Sequence, residues 1–279
     1  MRAEWNLGLV LLSVLVAMLG SFTALSHARR MRASQGRGQV YWMLAGGAIL
    51  GLAIWAMHFI GMLAMHLPIE LRYDVGLTLL SVLPAVAAAL LGFCLLRSPH
   101  LQVRPILFGG AAMGAGIAAM HYIGMAALRM SPAIDHDPAI VALSLLIAVG
   151  AAIGAMLIVY AGESSGLRSR WTQLAGAVIM GVAIAGMHYT AMQGMDIAPG
   201  SVCMVDGTPV DPALLAFMVT MGVLLLFGGG LLATLFDERM SDQNARALAR
   251  LQALLDDNPD GLLIVNRQGR ISFVNQQAE

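Results

Sequence analysis

Seven stretches of this chain are apolar for long enough to cross a lipid bilayer, which leaves few architectures open. A hydrocarbon core of about 30 Å takes roughly 20 residues of helix. Runs of that kind occupy about 5–27, 40–66, 75–96, 106–128, 139–161, 172–195 and 213–236. Apolar residues make up 58% of the chain and charged ones 11%, against about 25% charged in a soluble domain. The composition is that of an integral membrane protein, and the fold class expected is all-α with seven spans. Formal net charge is zero, so nothing points to nucleic acid as a partner; the lipid bilayer is the first partner implied.

The charges between the spans set an orientation. All sixteen basic residues are arginines. Loops after the first, third and fifth spans hold Arg29, Arg30, Arg32, Arg37, Arg97, Arg104, Arg168 and Arg170, whereas the other side holds Arg72 and Arg129, with Arg2 at the terminus. The positive-inside rule then places the N-terminus outside and the C-terminus in the cytoplasm. The first run has Glu4 before it and three arginines after it, the reverse of a signal peptide's charge order, so it reads as a span. Cys94 and Cys203 fall on opposite sides of the membrane in this topology, and no disulfide between them is expected.

Three polar intrusions repeat within the apolar spans. GLAIWAMHFIGM from Gly51, GAGIAAMHYIGM from Gly114 and GVAIAGMHYTAM from Gly181 share the pattern G-x-x-I-x-x-M-H-[FY]-[IT]-[GA]-M. His58, His121 and His188 are 63 and 67 residues apart, the length of two spans with their loops. Each copy therefore enters the bilayer in the same direction and reaches the same depth, near the outer ends of spans two, four and six. The repeat is an architectural unit, a helix pair used three times.

A single histidine in a span can simply bond a neighbouring carbonyl. Three at matched depth are costly to bury without a use and mark a functional site. Met62, Met125 and Met192 lie four residues after the histidines and share their helical face, while Met57, Met120 and Met187 precede them by one. Facing one another, the three helices would line a chamber with three imidazoles and up to six thioethers. Low dielectric favours the neutral imidazole that a metal needs. Neutral imidazole suits copper, iron, zinc and nickel alike, thioether beside it selects copper, above all Cu(I), and the absence of carboxylates argues against magnesium and calcium; copper is the metal expected, with another transition metal as the alternative. Tyr122 and Tyr189 follow their histidines and are placed to bond a bound ligand; Phe59 replaces tyrosine in the first copy, so the three positions differ. Met65, His66, Met130, His136, Met195, Cys203 and Met204 cluster at the same outer ends, either as ordinary loop residues or as an access route for metal.

The pattern resembles the MHYT domain of bacterial sensor proteins, and Met187, His188, Tyr189 and Thr190 spell its name. The first copy departs at Phe59 and Ile60, the second at Ile123. The resemblance, over about residues 5 to 236, implies a seven-helix sensor of the bacterial inner membrane. The resemblance further implies that copper is bound near the periplasmic face and that the signal sensed is a diatomic gas such as oxygen, carbon monoxide or nitric oxide, or the metal itself. Related proteins often continue into GGDEF and EAL domains, which make and degrade cyclic di-GMP; these are the implied cytoplasmic output domains, and no residue of either is present here.

After the last span, residues 237–257 read as an amphipathic cytoplasmic helix with Leu248, Leu251 and Leu255 on one face. From residue 258, GLLIV and ISFV flank Asn266-Arg267-Gln268-Gly269, a hairpin signal. Asp260, Gly261, Asn266, Gly269, Ile271 and Asn275 resemble the opening of a PAS domain, an α/β fold of about a hundred residues, of which only the start is expected here. Tail helices and PAS domains commonly pair, so a homodimer is also expected. The expected division is 1–236, 237–257 and 258–279. Of other function classes, a transporter or channel for a metal or small solute would need polar residues across the whole bilayer, and the inner halves of spans two, four and six have almost none. No nucleophile–base pair or pair of carboxylates lies in the spans, so no enzymatic activity is expected of them.

Overall fold

The computed structural model describes residues 4–98, 103–164, 170–204, 209–256, 260–261, 263–266 and 268–274. Its helices are α1 (Leu7–Ala33), α2 (Gly36–Ala64), α3 (Val75–Leu80), α4 (Val82–Leu96), α5 (Val103–Ala126), α6 (Pro138–Ser164), α7 (Arg170–Gln193) and α8 (Pro212–Asp256). Seven segments, with α3 and α4 together forming the third, are long and apolar enough to cross a membrane. The third expected span breaks at Ser81 because Pro84 lacks an N–H and its ring crowds the carbonyl four residues back. Residues 237–256, expected to be helical, are the continuation of α8; no proline or glycine occurs between Gly230 and its end at Asp256. The chain divides into two compact units, Met1–Gly229 and Gly230–Glu279.

In the first unit six spans close into a ring in the order α1, α2, α4, α5, α6, α7 and back to α1. Each motif-bearing helix meets the first helix of the next pair through a glycine. A Cβ on Gly51 would stand 2.5 Å from Val86 Cα, one on Gly114 2.5 Å from Val149 Cα, and one on Gly181 2.7 Å from Met18 Cα. Only glycine permits so close an approach. The initial part of α8 lies outside the ring, with Leu226 on Ile49 and Ala53 and Gly222 against Trp55.

One end of the ring is covered by two-residue strands in segments that read as loops: β1 (Glu4–Trp5), β2 (Met65–His66), β3 (Tyr73–Asp74), β4 (Met130–Ser131), β5 (Asp135–His136), β6 (Met195–Asp196), β7 (Val202–Cys203) and β8 (Pro209–Val210). The first and third pairs close on themselves, β1 with β2 and β5 with β6; the second is closed by the segment before α8, β3 pairing with β8 and β4 with β7. These ladders satisfy backbone groups that the helix ends leave open. Free Cys203 lies at this capped end, whereas free Cys94 lies near the far end of α4. Arginines hold the far end, where Arg29 donates to Gln173, Arg32 to the Leu96 carbonyl and Arg97 to Gln39.

Every helix that starts at the capped end has an Asx cap. Asn6, Asp74, Asp137 and Asp211 accept from the backbone N–H groups of Leu9, Leu77, Ala139 and Leu214. The Leu77 N–H holds the Asp74 carboxyl below the usual carboxylate range, and Arg129 adds to the effect. A depressed carboxyl stabilises the fold above its unfolded pKa of about 3.9 and loses that contribution as pH falls through the lower folded value. Asp74→Ala is expected to cost about 1 kcal/mol near neutral pH. The melting-temperature gap to the parent should narrow below about pH 4.

In the second unit β9 (Leu263–Val265) and β10 (Ile271–Val274) form the expected hairpin, with Ile271 opposite Val265. The Asn266 side chain accepts from the N–H groups of Gln268 and Arg270. Gly269 supplies a positive φ of 78°, a conformation that glycine adopts without strain. Asn275 lies outside the described residues.

Candidate metal centre

The ring aims all three motif histidines at its axis. His58 Nδ1 lies 3.0 Å from His188 Nδ1, and His121 Nδ1 lies 3.2 Å from each of the others. The rings stand at 78° to 90° to one another, like the blades of a propeller, and all three are fully buried. Matched depth in the sequence thus becomes a near-equilateral triangle of nitrogens. Among the described residues, theirs is the cluster able to hold a metal.

The donor set fits a metal ion. Two ligands bound at about 2.0 Å to one tetrahedral ion stand about 3.3 Å apart, close to the separations here. A neutral imidazole carries one N–H and one lone pair. Where all three Nδ1 atoms turn lone pairs to one point, a cation between them relieves their repulsion; an N–H on one of them would instead bond a neighbouring Nδ1. No carboxylate belongs to the cluster, so the set is of the borderline-to-soft type that suits copper or zinc.

Packing fixes the ring orientations together with the contacts among the three Nδ1 atoms. Each histidine stands edge-on to the aromatic residue that follows it: Phe59 at 4.7 Å, Tyr122 at 4.9 Å and Tyr189 at 4.8 Å between centroids. The three Nε2 atoms are buried without hydrogen-bond partners. His188 Nε2 packs on Gly61 and His58 Nε2 on Gly124, where a Cβ would overlap the ring. Met57, Met120, Met187, Met62, Met125 and Met192 are all buried; the last three lie one turn nearer the capped end on the histidine face.

Serines that the motif does not contain hold the tyrosines. Ser13 Oγ is 2.8 Å from the Tyr189 hydroxyl, and Ser144 Oγ is 2.9 Å from that of Tyr122. Each serine already donates its proton to a carbonyl, Val10 or Val141, so each tyrosine donates to its serine. At the third seam Ser81 donates to the Thr78 carbonyl and accepts from Trp55 Nε1 at 3.2 Å. Phe59 has no hydroxyl, and the indole one turn earlier takes over the donation. Ala118 and Ala185 hold the position of Trp55 in the other copies, so tryptophan–phenylalanine and alanine–tyrosine are two solutions to one contact. The signal was present in the sequence: Ser13, Ser81 and Ser144 each follow their Asx cap by seven residues.

A layer of aromatic rings lies over these seams. Trp5 packs on Tyr189 with centroids 5.7 Å apart, Tyr73 on Phe59 at 6.4 Å and His136 on Tyr122 at 5.7 Å. Met65 and Met195 lie opposite Trp5 and His136 in their ladders, and Met130 lies opposite Cys203. His66 and Met204 are exposed. On the other side of the triad is a cavity of about 20 Å³, lined by apolar side chains including Leu50, Ile54, Met113, Ile117, Met180 and Ile184.

Comparison with known proteins gives the same repeat. The MHYT family, described as a bacterial signalling protein N-terminal repeat, matches residues 51–109, 114–177 and 181–238, and a PAS domain matches 249–279. The chain is 39% identical over 277 residues to the bifunctional diguanylate cyclase/cyclic di-GMP phosphodiesterase MucR of Pseudomonas aeruginosa, covering 95% of this chain and 40% of that one. It is 39% identical over 211 residues to the cyclic di-GMP phosphodiesterase NbdA of the same organism, covering 75% of this chain and 26% of that one. The signaling protein YkoW of Bacillus subtilis is 28% identical over 290 residues, covering the whole of this chain and 35% of its own. The chain thus spans less than half the length of these relatives. No solved structure matches. Three motif repeats in one ring, followed by the start of a PAS domain, make this chain a member of the MHYT family of bacterial signalling proteins.

Proposed function

We propose that residues 1–236 form a sensory input domain that holds a single copper ion through Nδ1 of His58, His121 and His188. Residues 237–257 then connect this domain to a PAS domain beginning at 258 and to output domains beyond it. One observation carries the reading: three buried imidazole nitrogens lie within 3.2 Å of one another with no carboxylate in the set. Met62, Met125 and Met192 are the thioethers best placed to add to it. Bound there, copper would supply a soft Lewis acid able to take a small diatomic ligand such as oxygen, carbon monoxide or nitric oxide.

The protein's own residues exclude water through the aromatic layer and orient the imidazoles through Phe59, Tyr122 and Tyr189. They also link the centre to α8, because Gly222 packs on Trp55, which is three residues before His58. A signal must alter the balance between two arrangements of these helices. By likeness to MucR and NbdA, the output is control of cyclic di-GMP. The arginines at the uncapped end support placing that end in the cytoplasm and the capped end in the periplasm of a bacterial inner membrane. Transport of a metal or solute is the weaker reading, since the cavity on the far side of the triad has apolar walls, with the thioethers of Met113 and Met180 as its soft donors and no charged or imidazole group.

Metal analysis of the detergent-purified protein is the direct test. One copper per chain is expected, and a chain that retains none after exposure to Cu(I) would sink the reading. Gly124→Ala, which drives a methyl into the His58 ring, is expected to lower copper affinity about 10- to 100-fold, the scale seen when a ligand's orientation is disturbed. Ala191→Gly, at the equivalent position of the third copy, should leave affinity unchanged in the same chelator competition.

A further inference from the structure

The ring has three seams, each running from the capped surface past an aromatic residue to a motif histidine. One of them is shut by bulk, and another, where Trp5 is 37% exposed, has no donor at its aromatic position. Tyr73 is 1% exposed, and Val210 opposite it is fully buried. At the Trp5 seam, Met65 is 2% exposed, and the indole offers a cation no lone pair. The third seam differs in chemistry. There the aromatic position is held by His136, which is half-buried. Its Nε2 is sequestered without a hydrogen-bond partner.

Residues directly opposite in an antiparallel ladder point to the same face. Met195 is the residue opposite His136, and it is also half-buried. An imidazole and a thioether therefore stand together where the surface meets this seam, a pair that favours a soft cation. The path inward is short. The His136 ring meets Tyr122, and Tyr122 meets His121, with centroids 5.7 and 4.9 Å apart.

We infer that this seam is the loading route of the triad, with His136 Nε2 and Met195 Sδ holding the ion in transit to His121. The inference rests on the reading that the triad holds copper. A transit ligand changes how fast the ion arrives, whereas a ligand of the final site changes how tightly it is held. His136→Phe is the informative substitution because it keeps the aromatic edge against Tyr122 and removes only the donor; Met195→Leu removes the sulfur independently.

The test uses the full chain in detergent, freed of metal and mixed rapidly with Cu(I) held by a coloured chelator. His136→Phe and Met195→Leu are expected to reach the parent's final copper content about tenfold more slowly, a change of the size that on-rates show among related variants. Trp5→Phe and Met65→Leu should load at the parent rate. A parent rate in both His136→Phe and Met195→Leu overturns the route, as does an equal slowing in Trp5→Phe. A fall in final affinity with His136→Phe as large as that of a triad variant makes His136 a resident ligand and overturns the transit role. Failure of the parent itself to take up copper removes the underlying reading together with the route, an outcome distinct from the other three.

Discussion

Alanine at any one of His58, His121 or His188 is expected to lower Cu(I) affinity by at least about 100-fold, or about 2.7 kcal/mol. The reason lies in the triangle. Cu(I) tolerates two ligands when they stand opposite each other, which for bonds of about 2.0 Å needs nitrogens about 4 Å apart. Any two nitrogens left behind would be 3.0 to 3.2 Å apart, too close to form that pair. The helices that carry them are held at backbone contact and cannot readily spread. Because the three sides are nearly equal, the three variants should lose similar amounts. Competition with a Cu(I) chelator reads the affinity, and thermal unfolding without metal shows whether the ring itself survives. Parent-like affinity in all three variants would remove the triad from any role in metal binding.

The second large effect concerns stability. Gly51→Ala, Gly114→Ala and Gly181→Ala are each expected to cost about 1–3 kcal/mol, and leucine at the same positions more. The obstacle in each case is main chain: Val86 Cα and Val149 Cα at 2.5 Å and Met18 Cα at 2.7 Å from the new methyl. A side chain could rotate away; a helix backbone can yield only by shifting the whole helix. Gly150→Ala and Gly154→Ala are the controls, since open space surrounds both, and alanine there should gain up to about 1 kcal/mol of helix propensity. Unfolding in one detergent at one protein concentration separates the two classes. Gly114→Ala melting as high as Gly154→Ala would show that the close approach at this seam is not needed.

Both results depend on features that differ in how far they could be seen in the chain alone. The positions of the spans were legible because twenty apolar residues in lipid have little alternative to a helix. The equal depth of the histidines was legible because spacings of 63 and 67 residues return the chain to the same level and direction. The hairpin at 263–274 followed from a local signal, two apolar runs about an Asn-to-Gly turn. The break at Ser81 was written in Pro84 but hidden by the unbroken apolarity around it. The strands over the capped end had no such signal, since each pairs with a segment far off in the chain, as Glu4 with His66 and Tyr73 with Val210.

Residue order along the chain therefore settled the number of spans, their directions and the height of each motif within the membrane, because these depend on length, polarity and spacing. It left open which helices become neighbours. The folded ring decided that α7 closes on α1 and leaves α8 outside. It also decided that Ser13 meets Tyr189, that Trp55 donates where Phe59 cannot, and that His136 stands over Tyr122. Such pairings arise from how closely particular surfaces can approach in three dimensions, through a glycine on one helix and a backbone on another, and no periodicity along a single helix records what lies across from it.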